Sequence, residues 1–312
     1  MQIIFAGDIS LSRLEDLSFG EKMEDLFNQA DIIIGNLESP ISYNDKKKRI
    51  KSYHLKANCN LSSNLKKFNA LSLANNHIID YQNSIVDTRD ELQKVGIHSF
   101  GAGFSLKEAM IPYTIECKDI KVAIFWVSNF YNIKRFRRLG TASINSRKLL
   151  KSIREFKQKG YLIIVYPHWG YEYIPFPSPR ERKLAKRLIC YGADMIIGNH
   201  AHEIQAMEYI QGKPIFYGLG NFVFSESDFT IKDDKIKTSI IISINITDNR
   251  IEDLQIIPCI FEDNIIDIMP PETREKILKY LFEISSNFNI PLNKYRKLFY
   301  EEYANIRENR IS

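Results

Sequence analysis

Cysteine is scarce in this chain: Cys59, Cys117, Cys190 and Cys259 are the only four in 312 residues, and no two are close together. Such spacing offers neither a disulfide framework nor a zinc ribbon, and a reducing compartment fits it best. The first predicted strand starts at residue 2 with QIIFAGD, so no basic and apolar leader precedes it, and no apolar run is long enough to cross a bilayer. The expectation is a cytoplasmic protein without a transmembrane segment, working in solution or at the inner face of the membrane. Nor is charge of one sign in excess. With 43 basic and 38 acidic residues the net charge is +5, so nucleic acid is not an expected partner. The basic runs NDKKKRIKSYH and IKRFRRLG read as loops kept soluble by their charge, able at most to attract an anionic substrate. Internal repeats and low-complexity segments are absent as well.

What is present is a large core-forming fraction, 44% hydrophobic residues, arranged in an alternating pattern. QIIFA, DIIIG, ALSLA, VAIFWV, YLIIVY and ADMIIG read as strands. Between them GEKMEDLFNQA, NSIVDTRDELQKVG and SRKLLKSIREFKQKG read as amphipathic helices. The alternation predicts an α/β fold with helices on both faces of a layered sheet. From about residue 213 strands follow one another without helices, as KPIFYGLGNFVF, KTSIIISINIT and IEDLQIIPCIF, which predicts an antiparallel second sheet or sheet edge with TDNR as a hairpin turn. From about residue 271 two helical patterns, separated by NIPLN, read as a packing or dimerisation appendage.

Chemistry gathers where the predicted strands stop. Asp8 follows IIFAG, Asn36 and Glu38 follow DIIIG, and Asn75, Asn76, His77 and Asp80 follow LSLA. His168 and Glu172 follow LIIVYP, and His200 and His202, two of only six histidines, follow MIIGN. Carboxyl ends of parallel strands lie along one edge, which would bring these residues together from distant positions. Singly, each has a plain structural reading: Asp8 as a cap, Asn75 and Asn76 as turn formers, His168 as a satisfied core histidine. Recurring at five strand ends, they predict a shared site. A mixture of carboxylate, amide oxygen and imidazole suits zinc, manganese or iron better than calcium or magnesium, and the lack of thiolates argues against a structural zinc. Hydrolysis is the reaction class such a site serves.

The segments GDISLSR, GNLESPIS, LANNHIIDY, PHWGYEY, GADMIIGNHAH and YGLGNFVF occur in that order within about residues 2 to 225. In these the chain resembles the CapA family, named for poly-gamma-glutamate capsule synthesis, a family similar in fold to the calcineurin-like metallophosphoesterases. The resemblance implies a layered α/β/β/α sandwich over residues 1–262 with a metal site at its rim, and a helical extension over 263–312. It implies Asp8 as ligand to a first divalent ion, Glu38 in the place of a bridging aspartate, and Asn76 as ligand to a second ion. His168, His200 and His202 complete the shells, for one or two ions of manganese, zinc or iron. His77 matches the proton donor to the leaving group, Asp80 would orient its ring, and Arg13 would pair with an anionic oxygen. Asn36, Asn75, Trp169 and Glu172 are expected along the substrate pocket, with a core position for Trp169 as the alternative. Two departures stand out: Ser10 occupies the place of a histidine, and Glu38 is one methylene longer than the aspartate of the pattern.

The expected function is a metal-dependent hydrolase of a phosphoester or amide bond, acting on an anionic small molecule or polymer in capsule or other cell-surface polymer synthesis. The alternative is a non-catalytic or weakly catalytic assembly factor that binds an anionic polymer such as poly-gamma-glutamate. A second copy of the chain or a component of the capsule machinery is the expected protein partner.

Overall fold

A computed structural model of the chain describes residues 1–48, 53–130, 139–225 and 234–311. Its strands sort into two large sheets. The first runs, from edge to edge, Ser18–Phe19, Ile265–Ile268, Arg250–Glu262, Thr238–Thr247, Gln2–Ile9, Ile32–Leu37, Ala70–Ser72 and His98–Phe100, with Asn221–Val223 also paired to Gln2–Ile9. The second runs Met207–Ile210, Lys213–Phe216, Met195–Ile197, Leu162–His168, Ile120–Ser128 and Tyr113–Cys117. Gln2–Ile9 through His98–Phe100 are parallel, as are Ile120–Ser128, Leu162–His168, Met195–Ile197 and Lys213–Phe216.

Side chains alternate across a strand, and here both faces of the central strands are apolar, so each sheet must be covered twice. Ile3, Phe5 and Ile34 of the first sheet meet Ile124, Trp126, Ile164 and Met195 of the second in one buried layer. The alternate positions Ile4, Ile33 and Leu37 face Met23 and Phe27 of the helix Glu21–Gln29 and Ile85 and Leu92 of the helix Ser84–Lys94. On the far side Phe125, Val127, Ile163 and Val165 face Leu149, Leu150 and Ile153 of the helix Arg147–Gln158, and Leu184 and Leu188 of the helix Pro179–Tyr191. The result is an α/β/β/α sandwich. Each fully buried Ile or Leu contributes about 1.5–3 kcal/mol.

The helix Pro179–Tyr191 is one that hydrophobic pattern alone did not mark. Its start is nevertheless written in Ser178-Pro179-Arg180-Glu181: Ser178 caps it, Pro179 occupies its first turn, and the Glu181 carboxylate accepts from the Ser178 amide at 3.0 Å. The predicted hairpin at TDNR forms between Thr238–Thr247 and Arg250–Glu262, with Asp248 and Asn249 both at positive φ (50° and 59°), as a tight two-residue turn requires. These strands extend the first sheet and do not make a sheet of their own. The C-terminal helices Pro271–Ser285 and Leu292–Ile311 pack on the sandwich. Leu281 enters the layer between the sheets, and Tyr295 and Phe299 cluster with Ile174, Phe176 and Ala206.

None of the helices among the described residues is long and apolar enough to cross a membrane. The basic run IKRFRRLG, residues 133–140, lies outside the described residues except for Leu139 and Gly140, as do residues 49–52 of the other run.

Candidate metal centre

The parallel strands of both sheets point their carboxyl ends at the same rim, and there the polar residues meet. Asp8 lies at the end of Gln2–Ile9, Glu38 directly after Ile32–Leu37, and Asn75 to Asp80 in the loop after Ala70–Ser72. From the second sheet come His168, the last residue of Leu162–His168, and His200 and His202 in the loop after Met195–Ile197. Close backbone approach makes this possible. A Cβ on Gly7 would lie 2.1 Å from the Gly220 carbonyl, and one on Gly198 would lie 2.0 Å from that of Tyr217. Glycine is therefore demanded beside Asp8 and just before the histidine loop. His200 and His202 themselves sit at φ of 95° and 56°. Two non-glycine residues held in this costly region of backbone space mark a loop shaped for something other than its own stability.

At the centre is Glu38, fully buried. One of its oxygens, Oε1, lies 3.6 Å from His168 Nε2, 3.8 Å from His202 Nε2 and 3.9 Å from His77 Nε2. The protonation of two of these rings follows from their neighbours. Asn221 Nδ2 donates to the carbonyls of His202 (3.3 Å) and Ile236 (2.9 Å), so its Oδ1 faces His202 Nδ1 at 2.9 Å and must accept from it. The Nε2 of His202 is then the ring nitrogen that faces Glu38. Likewise His77 Nδ1 lies 2.6 Å from Asp80 Oδ2 and donates to it, leaving Nε2 toward the rim. Asp80 is itself anchored by the Leu55 amide at 3.1 Å. A proton or a metal ion between these Nε2 atoms and the carboxylate supplies the positive charge that the arrangement favours.

The other donors converge on the same space. Asp8 accepts from Asn36 Nδ2 at 2.7 Å through one oxygen and from the His200 amide at 2.8 Å through the other, with His168 Nδ1 3.6 Å from the first. His168 Nε2 lies 2.7 Å from Asn76 Oδ1, and the His168 and His200 rings are 4.7 Å apart between centroids. Donors on one zinc lie 2.0–2.1 Å from it, hence no more than about 4.2 Å from each other. The His200 Nδ1 is buried and has no hydrogen-bond partner among the described residues. Leaving such an atom dry costs about 1–3 kcal/mol unless something takes its lone pair. Two groups, Asp8–Glu38–His202 and Glu38–His168–His200, each bring their donor atoms within 4.8 Å of one another, with Glu38 common to both. The donor set suits a divalent ion.

The electrostatics agree. Burial pushes the Asp8 carboxyl up, but the hydrogen bond and charge of His168, the charge of His202 and the His200 amide outweigh it and hold it below the usual carboxylate value. Burial pushes His168 down despite Asp8, and pushes His200 well down, with His168 adding to the shift. Unfolded histidine titrates near about 6.5. Between that value and the lowered folded values, the unfolded chain binds more protons than the folded one, so folding stability rises with pH there. Acid unfolding of the chelator-treated protein should therefore show stability falling as pH drops below about 6.5, with Asp8 adding a further loss only at still lower pH. Urea titrations between pH 8 and pH 5 test this, and stability that rises on acidification would contradict it.

Not every residue expected along the pocket is there. Trp169 is 1% exposed, its indole N–H donates to the Tyr217 carbonyl at 3.0 Å, and it packs with the core under the helices Arg147–Gln158 and Pro179–Tyr191. The alternation of the strand explains the correction: with His168 turned to the rim, its neighbour turns away. Asn36 and Asn75 are also fully buried, and they hold other groups in place of substrate. Asn36 binds Asp8, while Asn75 accepts from the amides of His77 (3.0 Å) and Ile78 (2.9 Å) and donates to the Leu37 carbonyl (2.8 Å). Glu172 is half-buried at the rim. Arg13 is exposed, its guanidinium over the Tyr53 ring, whose edge in turn meets His77. Asn221 and Phe130, whose ring lies 4.4 Å from that of His200, belong to the centre but were not singled out from sequence. For Asn221 a signal existed, a polar residue directly after the glycine of LGN; for Phe130 there was none.

The chain is thus an α/β/β/α sandwich with a cluster of carboxylates and imidazoles at its rim that could hold a metal ion. More narrowly, the chain belongs to the bacterial capsule synthesis protein PGA_cap family, whose sequence pattern matches residues 2–226. It is 32% identical over 238 residues to the PGA biosynthesis protein CapA of Bacillus subtilis, a match covering 71% of this chain and 63% of that protein. It is 33% identical over 242 residues to the capsule biosynthesis protein CapA of Bacillus anthracis, covering 73% and 58%. The chain thus spans about three fifths of the length of these curated relatives. Among solved structures, one described as a novel phosphatase from Mycoplasma pneumoniae aligns over 90% of this chain and 98% of its own at 10% identity and a TM-score of 0.48.

Proposed function

We propose that the chain is a metal-dependent hydrolase of a phosphoester or amide bond, acting on an anionic substrate in the synthesis of a capsule or another cell-surface polymer. The observation that carries this reading is the convergence of three imidazole Nε2 atoms, from three separate segments, on one oxygen of Glu38 at 3.6 to 3.9 Å. Asp8, Glu38 and His202 would hold one ion, and Glu38, Asn76, His168 and His200 a second. Ions so held would supply Lewis acidity to the scissile group and to the attacking water. His77 acts at the leaving group: its Nε2 gives up a proton as the bond to phosphorus or carbonyl carbon breaks, and Asp80, bonded to Nδ1, stabilises the charged ring before that transfer. Arg13, exposed near His77 through Tyr53, pairs with an anionic oxygen of the substrate. The names of the Bacillus relatives support the capsule context and, with it, a partner in the capsule machinery. A reducing, cytoplasmic place of work accords with the free thiols of Cys117, Cys190 and Cys259.

The test is metal analysis of the purified protein, followed by a screen over phosphomonoesters, phosphodiesters and gamma-glutamyl amides with manganese or zinc supplied. Turnover of one class, abolished by chelation and restored by metal, is expected. A metal-loaded protein that turns over none of them, yet binds poly-gamma-glutamate equally well before and after chelation, would make the chain an assembly factor.

A further inference from the structure

We infer that Glu172 is a further protein ligand at the face of the centre formed by His200 and His202, and that the C-terminal helix Leu292–Ile311 holds it there. The inference rests on the metal-dependent reading above and adds a residue to it. A Glu172 carboxylate oxygen and ring nitrogens of His200 and His202 all lie within 4.8 Å of one another. Carboxylate and imidazole donors on one zinc sit 2.0–2.2 Å from it, so no more than about 4.4 Å apart. Rotation of a half-buried side chain closes that margin. Asp8, Glu38 and His202 supply three protein ligands to the ion that shares His202 with this face, and the Ser10 hydroxyl accepts from the Ser12 amide at 3.2 Å. Glu172 brings a fourth ligand, with the negative charge that a divalent ion favours over a hydroxyl. Its charge acts on both His168 and His200.

The segment around Glu172 is built to keep it in place. On one side the Tyr173 amide donates to the Ala201 carbonyl at 2.7 Å, tying the segment to the loop between His200 and His202, and the Tyr173 ring lies 5.8 Å from that of His202. Tyr173 takes a φ of 63°, a conformation that an L-residue holds only where its surroundings compensate. On the other side the Tyr171 ring packs against Phe299 and Tyr303 of the last helix, at 5.7 and 5.2 Å, and Phe176 packs against Tyr295 and Phe299. The helix that lacks chemistry of its own thereby clamps the segment that carries Glu172.

The experiment is manganese binding to the intact, chelator-treated chain, by calorimetry and by electron paramagnetic resonance, for the parent and for Glu172→Gln, Glu172→Asp and Tyr171→Ala. The parent should bind two ions. In Glu172→Gln one of them should weaken by more than the roughly 10- to 100-fold that loss of an outer-shell partner costs, with a changed resonance signal, and Glu172→Asp should recover part of the loss. Tyr171→Ala, a change at a half-exposed ring, should weaken the same ion by about 10-fold at unchanged stoichiometry. Two ions held by Glu172→Gln at parental affinity and with the parental signal would remove Glu172 from the shell while leaving the metal-dependent reading intact. A parent that binds no manganese or zinc would overturn both.

Discussion

Replacing Glu38 by alanine is expected to empty both halves of the centre at once, the largest effect of any single substitution in this chain. Glu38 is shared by the Asp8–Glu38–His202 and Glu38–His168–His200 groups, and three imidazoles face its Oε1. Without it, the His168 and His202 nitrogens lose the carboxylate that balances the ions' charge, and the donors left on each side no longer share a carboxylate that holds both ions. Metal content should fall below one ion per chain by mass spectrometry. Turnover should fall on the order of 10³-fold, because the ions' stabilisation of the transition state is worth several kcal/mol and each 1.36 kcal/mol is tenfold. Retention of the parental metal complement would show that Glu38 is a buried structural carboxylate. The helices and both sheets should persist by circular dichroism, since Glu38 lies beyond the end of its strand and outside the apolar layers.

The second large effect separates proton transfer from metal binding. Changing His77 to asparagine should leave metal content and fold intact while slowing turnover by on the order of 10²- to 10⁴-fold, the usual contribution of general acid–base catalysis. His77 is 8% exposed, its Nδ1 is committed to Asp80, and its Nε2 stands 3.9 Å from Glu38, at the edge of the centre. The loss should be smallest for nitrophenyl substrates, whose leaving group needs little protonation, and largest for alkyl ones. Loss of metal from this variant would make His77 a ligand, and full activity on an alkyl substrate would exclude a general acid at this position. Asp80→Asn should give a milder version of the same pattern, because the ring keeps its place but loses the carboxylate that stabilises its charged form.

Much of this was legible before any coordinates. The strand cores are continuous apolar runs that end in polar residues, because a strand buried on both faces can admit polarity only where it leaves the sheet. That rule marked Asp8, Glu38, Asn76, His77, His168, His200 and His202, and all of them gather at one rim. Local capping and turn chemistry is likewise short-range: Ser178, Pro179 and Glu181 at a helix start, Asp248 and Asn249 in a hairpin.

The sequence by itself therefore determined where the strands that bear the site stop, what chemistry stands at their ends, and that the ends belong to one α/β protein. Two facing sheets were implied by the family resemblance, but only the tertiary structure decided which strands pair in each, because periodicity records which faces of a strand are buried but not which strand lies beside it. The same is true of Asn221, which sets the protonation of His202 from 19 residues away, and of the contact between Tyr171 and Phe299 across more than a hundred residues. Trp169 went to the core because its neighbour His168 took the rim. Such pairings are products of packing in three dimensions, and no spacing along the chain encodes them.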